Sequence, residues 1–180
     1  IVYVQWRKSR KQNKIIEEQH RQLDENHKEI TDSISYAKNI QDAMMTSTVY
    51  LKDVLPESFI FFKPKDVVSG DYYWVYKTPY NNIYFTVADC TGHGVPGAFM
   101  SMIGTSLLNE NIIEKKVNNP GEILDNMRDK IIASLNNKDS KKETRDGMDV
   151  ALCKINFEKL TLQYAGANNP LVHVRNGEIN

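Results

Sequence analysis

Two aspartates sit in surroundings suited to chemistry. Asp71 follows Ser69-Gly70, and Asp89 precedes the tight loop Thr91-Gly92-His93-Gly94. Glycine lets a backbone approach a ligand closely. Between the two aspartates lies Pro79-Tyr80-Asn81-Asn82, which is turn chemistry. A hairpin turning about Tyr80 and Asn81 places Asp71 opposite Asp89, or one step from it. Directly paired residues have Cβ atoms roughly 4.5–5.5 Å apart, and like charges there repel. A cation between the carboxylates converts that repulsion into binding, and oxygen-only ligands favour a hard ion such as Mg2+ or Mn2+. The other reading is that both aspartates simply cap turns, as aspartate often does.

Other reactive residue types read more plainly. Asp146 and Asp149 flank Gly147-Met148 at the start of a strand and read as a turn-forming pair. Cys90 and Cys153 are too few for a disulfide framework or a cysteine-rich zinc site, and both read as packing residues in a reducing compartment. Met100 and Met102 fall on a helix as core residues.

Several elements must position the aspartates. The aromatic and β-branched run from Asp71 to Lys77 predicts a strand, and Ile83 to Asp89 predicts its return. Phe59 to Phe62 predicts a short strand before them. Pro96 opens a helix reaching about Lys116, because proline suits a first helical turn. Asn119 caps a second helix that runs to about Asn136. A charged loop, Lys138 to Arg145, leads to strands at Asp149–Asn156, Thr161–Ala165 and Leu171–Arg175. Asn176-Gly177 is a hairpin turn into one more strand. Strands, two adjacent helices, then strands make an α+β pattern.

Upstream, residues 1–46 contain neither Pro nor Gly. Ile16, Leu23, Ile30, Ala37 and Met44 recur every seventh position, the seam of a long helix. The companion positions Asn13, His20, His27, Ile34 and Gln41 are mostly polar, so the seam is weak. We read residues 7–46 as a parallel homodimeric coiled-coil linker, with His20 and His27 setting register; one amphipathic helix packed on the domain is the alternative. Residues 1–6 end in Trp6, and Arg7, Lys8, Arg10 and Lys11 follow. That order suits the end of a membrane-spanning helix with a cytoplasmic positive flank, or else the frayed start of an amphipathic helix. Six residues alone cannot cross a bilayer, which needs about 20. Residues 47–54 read as a connection and 55–180 as the domain proper.

Lys plus Arg equals Asp plus Glu at 23 each, so no global basic field points to nucleic acid.

The motifs carry a resemblance. Lys63-Pro64-Lys65-Asp66-Val67-Val68-Ser69-Gly70-Asp71-Tyr72-Tyr73-Trp74 resembles the first acidic motif of SpoIIE-type phosphatases. Val87-Ala88-Asp89-Cys90-Thr91-Gly92-His93-Gly94-Val95-Pro96-Gly97-Ala98 resembles their second. Tyr164-Ala165-Gly166-Ala167-Asn168-Asn169-Pro170 resembles a later strand-turn motif, where many members carry His in place of Asn168. These enzymes are metal-dependent protein serine/threonine phosphatases of the 2C class. The resemblance implies a sandwich of two antiparallel sheets flanked by helices. It implies two Mn2+ or Mg2+ ions, with Asp89 bridging them, Cys90 contributing its backbone carbonyl and Asp71 a further carboxylate. It also implies hydrolysis of phosphoserine or phosphothreonine by a metal-activated water, His93 in a proton role and Asp146 beside a third, looser ion. The expected substrate is a regulatory phosphoprotein such as an anti-sigma-factor antagonist, and the expected location is the cytoplasmic side of a bacterial inner membrane. The family has two further metal aspartates in its C-terminal third. This sequence ends at Asn180 without them, so it is read as the N-terminal part of the domain, inactive alone. A non-catalytic phosphatase-like module switched by the coiled coil is the competing reading.

Overall fold

The computed structural model describes residues 2–135 and 146–179. The charged loop expected at 138–145 lies outside the described residues. Backbone contacts divide the chain into two units, Ile1–Lys38 and Asn39–Asn180.

The first unit is helical. Helix α1 (Val2–Met44) runs unbroken, as expected for a stretch without helix breakers. Near its start Tyr3 stacks on Trp6, and Arg7 and Arg10 lie over those two rings. Ile16, Leu23 and Ile30 are at least half exposed, so their apolar row is open. Among the described residues no helix is long and apolar enough to cross a membrane.

The second unit is mixed α+β. Helix α2 (Thr48–Val54) starts at Ser47, whose Oγ accepts a hydrogen bond from Tyr50 N. It occupies the segment read as a connection, and its Leu51 and Val54 are buried. A four-stranded antiparallel sheet follows in the order β1 (Tyr72–Lys77), β2 (Ile83–Cys90), β3 (Met148–Asn156), β4 (Thr161–Ala167). The ribbon of β5 (Val174–Arg175) and β6 (Glu178–Ile179) turns at Asn176-Gly177, both at positive φ. The resemblance implied two stacked sheets; the described residues form one such sheet and this ribbon.

Strand alternation sorts the side chains. Tyr72 and Trp74 of β1, Tyr84, Ala88 and Cys90 of β2, and Val150 and Leu152 of β3 are buried in one core cluster. Helices α3 (Gly94–Leu108) and α4 (Pro120–Leu135) cover that face with Met100, Leu108, Ile123 and Met127. A π-helical turn (Asn109–Glu114) ends the first of the pair, where Asn109 Oδ1 accepts the Trp74 indole N–H. Asn119 caps α4, accepting from Gly121 N and Glu122 N. On the opposite face Leu51 and Val54 of α2 pack against Val75 and Ile83.

Two expected strands change. Phe59 to Phe62 forms no strand; Phe59 and Phe61 are almost wholly exposed, and a strand needs a neighbour for its backbone groups. The strand expected at Leu171–Arg175 shrinks to the two residues of β5, which among the described residues pair only with β6.

Candidate metal centre

The β1–β2 hairpin fixes the two acids locally. Thr78 N donates to Asn82 O, and Asn81 N donates to Thr78 O. The register pairs Tyr72 with Ala88, which leaves Asp71 abreast of Asp89 at the open end of the hairpin. Their carboxyl groups are within hydrogen-bond reach. Burial first, then that contact and the charge of Asp89, push the Asp71 carboxyl above its ordinary range. Among the described residues neither acid joins an ion pair. Both line one open cleft, together with Lys63, Tyr73 and Asn169.

Glycines bring the second loop against the first. A Cβ on Gly70 would lie 2.9 Å from Gly92 O and 3.2 Å from Cys90 O. On Gly97 it would lie 2.6 Å from Gly92 O and 3.0 Å from the Gly70 Cα. Three backbone segments therefore stack where any side chain would force them apart, and the Cys90 carbonyl comes to rest beside Gly70. The Cys90 thiol turns the other way into the core. Burial, then the charges of Asp89 and Asp71, push it up to about 12. Its carbonyl lies beside Gly70, next to Asp71 in sequence.

The donor set is two carboxylates and a carbonyl, all hard oxygens without a cationic partner. That set suits Mg2+ or Mn2+, ions which retain several waters and need only one or two protein carboxylates. Among the described residues no three His, Cys, Asp or Glu side chains converge as a metal site.

The remaining expected residues fall nearby or apart. His93 starts α3 without capping it, and its Nδ1 lies 2.9 Å from Asp66 Oδ2. A carboxylate only accepts, so Nδ1 carries the hydrogen in this contact. Asp146 does not join Asp71 and Asp89. It lines a hollow with Leu124, Met127 and Ala167 on the helix-covered side of the sheet. Gly147 is pinned by bonds to Thr91, β3 begins at the next residue, and Asp146 stays outside it.

Three neighbours had no place in the predicted site. Asp149 pairs directly with Asp89 across β2 and β3, and Asn168 Nδ2 donates to its Oδ1 at 3.2 Å. Asp66 holds His93. Gln41, read as a polar seam position of α1, is instead buried in the second unit beside Ser69. Only Asp149 left a signal, as an acid at a predicted strand start.

Comparison with known proteins places the chain in a family. The profile of the Stage II sporulation protein E (SpoIIE) family matches residues 79–180. Among solved structures the chain is similar to the SiaA-PP2C domain of Pseudomonas aeruginosa, at 33% identity and a TM-score of 0.66. That match covers 78% of this chain and 54% of the solved one, so the chain spans about half the length of that domain. No curated protein matches it.

Proposed function

Since the chain belongs to the Stage II sporulation protein E (SpoIIE) family, a phosphatase family, we propose that it supplies one half of a metal-dependent protein serine/threonine phosphatase centre. The observation that carries this reading is the approach of Asp71 and Asp89 beside the Cys90 carbonyl. Two divalent ions, when bound, supply a water of lowered pKa and neutralise the transferring phosphoryl oxygens. Asp89, Asp71 and the Cys90 carbonyl would hold them. Asp66 fixes the His93 tautomer, so that Nε2 can take or return a proton. The open cleft beside Lys63 leaves room for a phosphorylated side chain, and Lys63 offers it a positive charge.

The substrate we propose is phosphoserine or phosphothreonine on a regulatory protein, in the manner of an anti-sigma-factor antagonist. The open row of Ile16, Leu23 and Ile30 supports a homodimeric stalk, and the basic run after Trp6 supports a place at the cytoplasmic face of a bacterial membrane. With two carboxylates in reach, the chain by itself should turn over far more slowly than a protein carrying the complete domain. Hydrolysis of a phosphoserine protein by that longer protein, with and without Mn2+, tests the reading. Turnover that ignores Mn2+ or survives Asp89→Asn contradicts it. The small carboxylate set is also what a non-catalytic binding module would show, and the same assay separates the two.

A further inference from the structure

Near the end of α1, Gln41 is 4% exposed although it is polar. Its side-chain amide grips one backbone unit at two points. Nε2 donates to Ser69 O at 2.6 Å, and Oε1 accepts from Ser69 N at 3.0 Å. The second hydrogen of Nε2 reaches Ser101 Oγ on α3 at 2.8 Å. Ser101 Oγ is itself within reach of Ser69 O and Ala98 O, at 3.1 and 2.9 Å. Ser69 and Ser101 are buried as well. A strand neighbour holds a peptide by the same two-point pattern. Here a side chain does so, because Ser69 precedes the sheet and has no strand partner for its N–H.

Ser69 is two residues from Asp71, and the residue between them is Gly70. Gly70 has no slack: its Cα already faces Cys90 O and Gly92 O at distances that exclude a methyl group. The level at which Ser69 is held therefore sets where Asp71 stands relative to Asp89 and the Cys90 carbonyl. We propose that Gln41 is a positioning residue of the metal centre, which fixes the Ser69–Asp71 loop by standing in for a missing strand. Its role is to hold the oxygen donors in register, not to touch metal or substrate. The proposal rests on the metal-centre reading above.

The test uses this chain and two readouts that need no turnover. Amide exchange of Ser69, in metal-free protein, reports the grip directly. Mn2+ affinity, from loss of the free-ion spin-resonance signal, reports the donor register. In Gln41→Leu, which fills the space without hydrogen bonds, Ser69 should exchange at least about tenfold faster and Mn2+ should bind about tenfold more weakly, as for lost outer partners of a metal site. Ile131→Val, in the helix-covered core, should leave both values within about twofold even where it lowers Tm comparably. Ser101→Ala keeps both Gln41 bonds to Ser69 but loses their anchor on α3 and the hydroxyl's own contact with Ser69 O, so a weakening of about threefold is expected. If Gln41→Leu does not fold, Ser101→Ala decides: weaker Mn2+ binding supports the proposal and unchanged binding overturns it. A folded Gln41→Leu that matches the parent in both readouts overturns the proposal alone. A parent that binds no Mn2+ overturns the metal-centre reading and the proposal with it.

Discussion

The two faces of the sheet are built from alternate residues of the same strands, yet they do opposite things. On one face Tyr72, Trp74, Tyr84, Cys90 and Leu152 are sealed by α3 and α4. On the other, Val87, Leu162 and Tyr164 are partly open, and Asp71, Asp89 and Asp149 stand in a row at its edge. Cys90 and Asp89 are neighbours in sequence, and one step of pleat separates a core thiol from a cleft carboxylate. The contrast shows where stability and chemistry are lodged. The sealed face gains from burial, whereas the acid edge carries unpaired like charges that cost stability without a cation.

Variants on each face test this division. The largest effect is expected on the sealed face. Leu152 is fully buried, and Leu152→Ala should cost about 2–5 kcal/mol in denaturant unfolding. A loss below about 1 kcal/mol would mean that the helices do not seal this face as described.

On the acid edge the cost should fall on metal binding instead. Asp89→Asn should weaken Mn2+ binding by more than the roughly 10–100-fold typical of an outer partner, since Asp89 is proposed as a direct ligand. Its unfolding midpoint without metal should not fall. A large drop in stability would make Asp89 a structural residue and erase the distinction.

The third prediction marks where the open face ends. Cys153 alternates with the acids on that face, yet it is 1% exposed, and burial pushes its thiol up to about 11. At pH 8 the folded chain should therefore carry roughly a hundredfold less thiolate there than an ordinary cysteine. Thiol-reagent kinetics followed at Cys153 by mass spectrometry would show labelling only on unfolding. Rapid labelling would place the opening beyond the acid edge.

The smallest effect concerns Asp71. Its raised pKa means that the folded state binds the proton more tightly than the unfolded state does. Metal-free stability should then fall as pH rises from the ordinary value of 3.8 through the raised folded value. Asp71→Asn should flatten that slope and stabilise the metal-free chain by on the order of 0.5 kcal/mol, the scale of one cross-strand like-charge pair. Thermal melts across that pH range measure it, and a slope unchanged in the variant assigns the effect to another group.

What the sequence determined by itself is what short-range geometry controls. The turn at Thr78–Asn82 and the pleat together fix which residues of β1 and β2 face each other, so the Asp71–Asp89 approach was readable before any fold was known. The same holds for α1, which has no helix breaker to interrupt it, and for the Asn119 cap of α4. Tertiary structure decided the rest. Phe59 to Phe62 has the composition of a strand but finds no neighbour to complete its hydrogen bonds. Asp149 reaches Asp89 only because β3 pairs with β2 across two intervening helices. Gln41 repeats in the same heptad row as His20 and His27, and nothing in that spacing separates a solvated glutamine from one that grips Ser69. Spacing fixes which face of a helix a residue occupies. What packs against that face depends on segments 28 and 60 residues away, where only the folded chain supplies the partners.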